Sequence, residues 1–380
     1  MTFSNSGPIT ILLLLIIILI MVISTNLILS AFYRLILCVS NPHYVLTTQS
    51  QKITTICLLH CEALLVYDNK TSMSNSSEGF TFICFPEVQS WDIGSLFMVL
   101  LMVAVVCNVM LLFIVLIEPK LHHPMYYFMA MLAVVDILLS TVTTPRALLT
   151  LWSNARITTE TTCFSQMFFI TYWSAMESSI FLFMAYDRYV AICNPLHYPT
   201  IITNSFVVKA CLFIIVRNTI IALPPPVMAS RLDYCSSREI PHCFCEDMTV
   251  EKLSCSDFTA SRVYSLVAFV LIGGTDIFLI SISYSLILRT VIAARSLSAA
   301  SKAFRTCASH LIVISIFYFT RASTMISSQT MTGLPRPVHV VFSLLHHLLP
   351  PALNPLVYGV LTREIRHTIQ RIMGKIKIYP

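Results

Sequence analysis

From residue 90 onward, long apolar runs alternate with short polar connections. The runs cover Ile93–Ile117, Met125–Val142, Thr162–Ile192, Phe206–Met228, Val263–Val291, Ala303–Ser327 and Val338–Val360. A helix needs roughly 20 mostly apolar residues to cross the hydrocarbon layer, because lipid offers no partner to an exposed peptide group. The pattern therefore predicts seven spanning helices and an all-α membrane bundle. An earlier apolar run lies at Ile9–Ile23, and its weaker continuation to Leu37 is interrupted by Arg34. After the seventh run, Ile365, Ile369, Ile372 and Met373 share a helical face while Arg363, Arg366, Arg371 and Lys375 fill the rest. That arrangement predicts a short amphipathic helix on a lipid surface.

Composition agrees with lipid as the solvent: 56% of side chains are hydrophobic and only 11% charged. The net charge of +6 gives no reason to expect nucleic acid, since Lys and Arg are scattered between apolar runs and form no continuous basic face. Their distribution does set an orientation. One side of the bundle carries Lys120, Arg188, Lys209, Arg289, Arg295, Lys302, Arg305, Arg363, Arg366, Arg371, Lys375 and Lys377. The other carries Arg156, Arg231, Arg238, Lys252, Arg262 and Arg336 among the acids Glu160, Asp233, Glu239, Glu246, Asp247, Glu251 and Asp257. Positive-inside places the C-terminus in the cytosol and the segment before the first helix outside. The sequons at Asn69 and Asn75 then fall on the outer side, where glycosylation can occur.

The expected organisation is an atypical extension over 1–72, an outer segment over 73–92, the bundle over 93–360 and a cytosolic tail over 361–380. The extension lacks a basic n-region and a small-residue cleavage site, unlike an ordinary signal peptide. Three readings stand: upstream sequence with Met73 as the working start, which is preferred, a signal anchor, or an eighth helix.

Ionisable residues at membrane depth are costly, so each is a functional candidate. Glu177 and Arg188 are separated by close to three turns of about 3.6 residues and share a face of the third helix. Asn108, Asp136, Glu177 and Asn354, from the first, second, third and seventh helices, are expected to converge on one polar cluster. Two carboxylates there would attract a cation such as sodium; alternatively the four form a structural network with one acid protonated. At the cytosolic end of the third helix, Asp187 and Arg188 could act as a two-state latch, or Arg188 could be an interfacial anchor.

The flank of that pair decides more than the pair itself. The fifteen residues from Met184 to Tyr198, MAYDRYVAICNPLHY, closely resemble the odorant-receptor signature at the third helix and second inner loop. Agreement continues at Pro124-Met125-Tyr126-Tyr127-Phe128, Ser283-Tyr284, Lys302 to His310, and Asn354-Pro355-Leu356-Val357-Tyr358. The resemblance runs from about Met73 to the C-terminus. The tract from Arg231 to Cys255, with Asp276 in the fifth helix, is similar to the fish-like class I subfamily of these rhodopsin-like receptors.

The resemblance implies a receptor for small volatile ligands in the plasma membrane that activates a heterotrimeric G protein of the stimulatory type and raises cAMP. It implies disulfides Cys163–Cys245 and Cys235–Cys255, both suited to an oxidising outer face. Cys243 is then an extra loop cysteine, with Cys84 its nearest unassigned partner. Asp187, Arg188, Tyr189, Tyr284, Lys302, Arg305, Pro355 and Tyr358 are implied for coupling. No cofactor is implied.

For the ligand, stepping outward from Glu177 along its face reaches Ser174 and Ile170, with Thr171 and Ser178 beside them. Ala268, Ile272, Tyr318, Ala322, Met325 and His347 are expected opposite, completing a mostly apolar cavity. The sequence departs from the family in the sixth helix, where Phe317-Tyr318-Phe319-Thr320-Arg321 has no proline. A basic residue found nearer the outer end in many class I relatives is here Gln329. Arg321 is expected either to serve as the cation for an acidic odorant or to pair with a backbone carbonyl or Glu177.

An enzyme is disfavoured: Cys57, His60 and Cys61 resemble a metal cluster only superficially, and no phosphate loop or nucleophile elbow is present. A channel or transporter is the stronger rival, but no internal repeat with paired broken helices is visible. A non-olfactory chemosensor on the same scaffold remains open, since sequence does not report tissue.

Overall fold

The computed structural model describes residues 79–85, 91–152, 156–235, 238–293, 297–329 and 336–376. Ile9–Ile23, both sequons and Met73 lie outside them. Seven helices among the described residues are long and apolar enough to cross a membrane. The spans lie in α1 (Trp91–Ile117), α2 (Pro124–Trp152), α3 (Glu160–Cys193), α4 (Asn204–Ala229), α5 (Thr259–Ala293), α6 (Leu297–Gln329) and α7 (Arg336–Leu361), and α8 (Arg363–Ile376) follows.

Each helix begins or ends a few residues from its apolar run, because polar caps extend it. Thr159 accepts from the Thr162 amide at the start of α3, and Thr203 from the Phe206 amide at the start of α4. The largest correction is α2. The apolar run ends at Val142, yet the helix runs ten residues further with Pro145 inside it. Gln166 of α3 donates to the Val142 carbonyl at 2.9 Å, close to the disturbed turn. In α5, a π-helical turn at Phe269–Gly273 interrupts the span beside the cavity.

Burial sorts the helices. Most of the apolar length of α2 and α3 is covered, whereas α1 and α5 leave most of theirs open. Phe113, Phe213, Val216 and Phe278 point outward, as side chains facing acyl tails do. On α8, Ile365 and Ile369 meet the bundle, and Arg371 pairs with Glu118 beyond the end of α1.

A small sheet caps the end of the bundle opposite α8. Strand β1 (Gly79–Phe82) pairs antiparallel with β2 (Ile157–Thr159) and parallel with β3 (Glu239–Ile240). Phe80 and Phe82 are fully buried beneath it. Disulfides Cys84–Cys243, Cys163–Cys245 and Cys235–Cys255 fasten the cap, with Cα separations of 4.7, 5.4 and 5.9 Å.

Candidate ligand cavity and signalling end

A cavity of about 160 Å³ opens between α3, α4, α5, α6 and α7, under the loop joining α4 to α5. A void of about 150 Å³ holds a molecule of benzene's size. Ile170, Thr171, Ser174, Ser178, Ala268, Ile272, Arg321, Met325 and His347 line it. Ala322 does not, because Arg321, Thr324 and Met325 share the inward face and Ala322 sits about 100° round the helix, exposed outward. Tyr318 also lies off the cavity wall: one turn deeper than Arg321, its hydroxyl meets Ser178 Oγ at 2.9 Å.

Arg321 approaches His346 Nε2 at 3.5 Å, and its guanidinium lies 5.5 Å from the Phe269 ring centroid. No ion pair joins it to Glu177 among the described residues. The cavity roof carries residues the sequence reading left in an outer loop: Cys245, Glu246, Asp247 and Met248. Cys245 is fixed twice, through Cys163 and through its amide, which donates to Gln166 Oε1 at 3.0 Å.

The roof is electrostatically uneven. Burial alone would raise the Glu246 carboxyl, but the hydrogen bond to His339 and the nearby His242, His339 and His347 outweigh it and hold the group at about 2. Burial pushes Asp247 upward, and Glu246 adds to the effect. Glu251, buried behind them against Ser261, is raised to about 7 by desolvation.

Below the cavity lies a polar chain of which the sequence reading singled out only part. Asp276 of α5 accepts from Ser178 Oγ at 2.8 Å and from Arg217 of α4 at 2.8 and 3.2 Å. Arg217 also reaches Ser179, which bonds Asn218. Arg217 could have been found as a charge in the fourth apolar run, by the reasoning that selected Arg321.

Deeper still, Asp136, Glu177 and Asn354, three of the four expected polar residues, come together, while Asn108 bonds the α7 backbone. Asn354 Nδ2 donates to both oxygens of Asp136 at 3.0 and 3.3 Å, and the Glu177 carboxyl lies beside that of Asp136. Pro355 has no N–H, so the Pro351 carbonyl loses its partner four residues on, and Asn108 Nδ2 donates to it at 2.9 Å. Asn108 thereby joins α1 to α7.

At the end of the bundle that α8 follows, Arg188 donates to Asp187 at 2.7 and 3.2 Å, and Tyr198 donates to the other Asp187 oxygen at 2.8 Å. The Tyr284 and Tyr358 hydroxyls are buried nearby without a hydrogen-bond partner. Tyr189 is half-buried, its ring 6.4 Å from that of Tyr186. Lys302 and Arg305 fall on α6, and their side chains lie outside the described residues.

The olfactory receptor family model matches residues 97–376. The chain belongs to the olfactory receptor family. It is 42% identical over 310 residues to olfactory receptor 56A1 of Homo sapiens, covering 80% of this chain and 98% of that one. Over 308 residues it is 42% identical to olfactory receptor 56B34 of Mus musculus, covering 79% and 95%. The squid rhodopsin crystal structure superposes with a TM-score of 0.64 at 16% identity, over 76% of this chain and 82% of that one, so this olfactory receptor has the rhodopsin fold. Both of the family-implied disulfides are bonded, as is the Cys84–Cys243 pair reached by elimination.

Proposed function

We propose that the receptor binds a small volatile odorant between its outer helix ends and activates a stimulatory heterotrimeric G protein at the cytosolic face, raising cAMP. The observation that carries this reading is that the cavity and the Asp187–Arg188 pair share α3, joined to α6 through Ser178 and Tyr318. A ligand that fits the cavity better when α6 has moved shifts the population toward the state in which Arg188 leaves Asp187. Tyr198 opposes that release by bonding the same carboxylate. Tyr284, Lys302 and Arg305 border the opening, and Pro355 and Tyr358 move with it at the bend in α7.

In this reading the outer cap faces the extracellular side, Asn75 carries a glycan, as does Asn69 in a chain that begins upstream of Met73, and the tail rests on the cytosolic leaflet. The adjoining Asp136 and Glu177 carboxyls hold a cation such as sodium in the resting receptor.

Arg321 selects the ligand. It is a guanidinium on an otherwise mostly apolar wall, so an odorant with a carboxylate gains a charge-assisted hydrogen bond there. A cell-based cAMP screen of aliphatic acids, alcohols, aldehydes and ketones tests both parts. Acids are expected to be the most potent class, and Arg321→Gln is expected to weaken them about tenfold or more without lowering surface expression. Silence toward every class by surface-expressed receptor overturns the function; unchanged acid potency in the variant overturns the role of Arg321.

A further inference from the structure

The roof of the cavity contains a second constellation, formed where the loop between α4 and α5 meets the outer end of α7. His242 Nε2 lies 3.8 Å from Glu246 Oε2, and His339 Nε2 lies 3.3 Å from the same oxygen. All three atoms fall within 4.8 Å of one another. His242 is fully buried, His339 nearly so, and Glu246 partly buried.

Hydrogen-bond polarity orients the His339 ring. The Ser327 hydroxyl donates to the Thr324 carbonyl at 2.8 Å, so toward His339 Nδ1, also at 2.8 Å, it accepts. The hydrogen of a neutral His339 ring therefore sits on Nδ1, and its Nε2 aims a lone pair at a carboxylate oxygen. A proton on Nε2 closes this 3.3 Å contact with Glu246 in the metal-free receptor, and a bound cation can take that proton's place. His242 Nε2 has no hydrogen-bond partner of its own.

We propose that His242, Glu246 and His339 bind a divalent transition ion of the zinc type. Two imidazoles and one carboxylate form a known three-ligand set for zinc, with a fourth position left open. Ligand bonds of about 2.0–2.1 Å place tetrahedral donors roughly 3.4 Å apart, so the site closes on an ion by small side-chain shifts. Ser327 orients His339 as an outer partner that fixes the tautomer. The contact from the Phe244 amide to His242 Nδ1 is long, at 3.4 Å, and is the bond that coordination exchanges. Entry is through the cavity, which Glu246 lines. The ion fastens the loop to α7, independently of which odorant the cavity takes.

The test uses purified full-length receptor in detergent, titrated with Zn²⁺, Mg²⁺ or Ca²⁺ in competition with a fluorescent zinc chelator. One Zn²⁺ per chain is expected to bind and raise the melting midpoint, with no effect from Mg²⁺ or Ca²⁺. His339→Gln and Glu246→Gln are each expected to weaken binding at least tenfold. Zinc-edge X-ray absorption of the unaltered one-to-one complex should report two imidazoles with oxygen donors and no sulfur, a readout that needs no variant to fold. Absence of binding, sulfur in the coordination shell, or full affinity in either folded variant overturns the site. None of these readouts involves odorant or G protein, so failure here leaves the receptor function standing.

Discussion

A guanidinium at membrane depth persists only where acceptors surround it, and Arg217 shows what that requires. Its two Nη atoms take both oxygens of Asp276, and Ser179 adds a third acceptor. Removing one partner of such a pair leaves an uncompensated charge, a loss of about 3–5 kcal/mol when burial is deep. Arg217 keeps some exposure, so the lower end applies. Asp276→Asn should therefore cut surface expression and lower the melting temperature, while adding Arg217→Gln restores a substantial part of the loss. Additive losses in the double variant would show that the two residues act independently. Arg321 differs: with His346 and Phe269 as its described neighbours and no acid paired to it, it keeps donors for a ligand.

At the scale of elements, the apolar pattern located every span, because the bilayer imposes a minimum length on each. The apolar run at Val142 stops short of the end of α2, because Pro145 removes only the bond to the Thr141 carbonyl and the helix continues packed in the bundle, with Gln166 of α3 bonded to its Val142 carbonyl. The cap sheet was not legible: strands of two to four residues cannot display an alternating pattern. Of the cavity, the α3 wall was legible from helical phase, whereas the roof of Cys245 to Met248 was not, since a disulfide and Gln166 fold the loop inward. Gly94 marks a close approach between elements that sequence also concealed. A Cβ at Gly94 would run into the indole of Trp152 at the end of α2. Gly94→Val should force α1 from α2 and cost about 1–3 kcal/mol, read as a lower melting midpoint. Pairing it with Trp152→Leu should recover most of the loss; no recovery would place the fault elsewhere.

Across the whole molecule, the two ends of the bundle are held by different means. The end that α8 follows is held by non-covalent contacts among Asp187, Arg188 and Tyr198, which in the proposed function a shift of α6 exchanges. The opposite end is held covalently, and its two central disulfides divide the work. Cys163–Cys245 ties the cavity roof to α3, while Cys84–Cys243 ties the same loop to β1, two residues away along the chain. Opening the first frees the roof from the bundle, so Cys163→Ser should abolish surface expression. Opening the second leaves the Cys245 anchor, the Gln166 bond and the β1–β3 pairing in place. The Cys84→Ser/Cys243→Ser receptor should therefore reach the surface and keep its basal cAMP level, yet its roof should open more often. Amide exchange at Phe244 and Cys245 should accelerate several-fold, with exchange in α3 near Arg188 unchanged. Equal exchange in both forms would mean that β1 is fastened by its sheet alone. Loss of expression as complete as that of Cys163→Ser would mean that the cap folds as a single unit, with no part able to loosen while the bundle stays assembled.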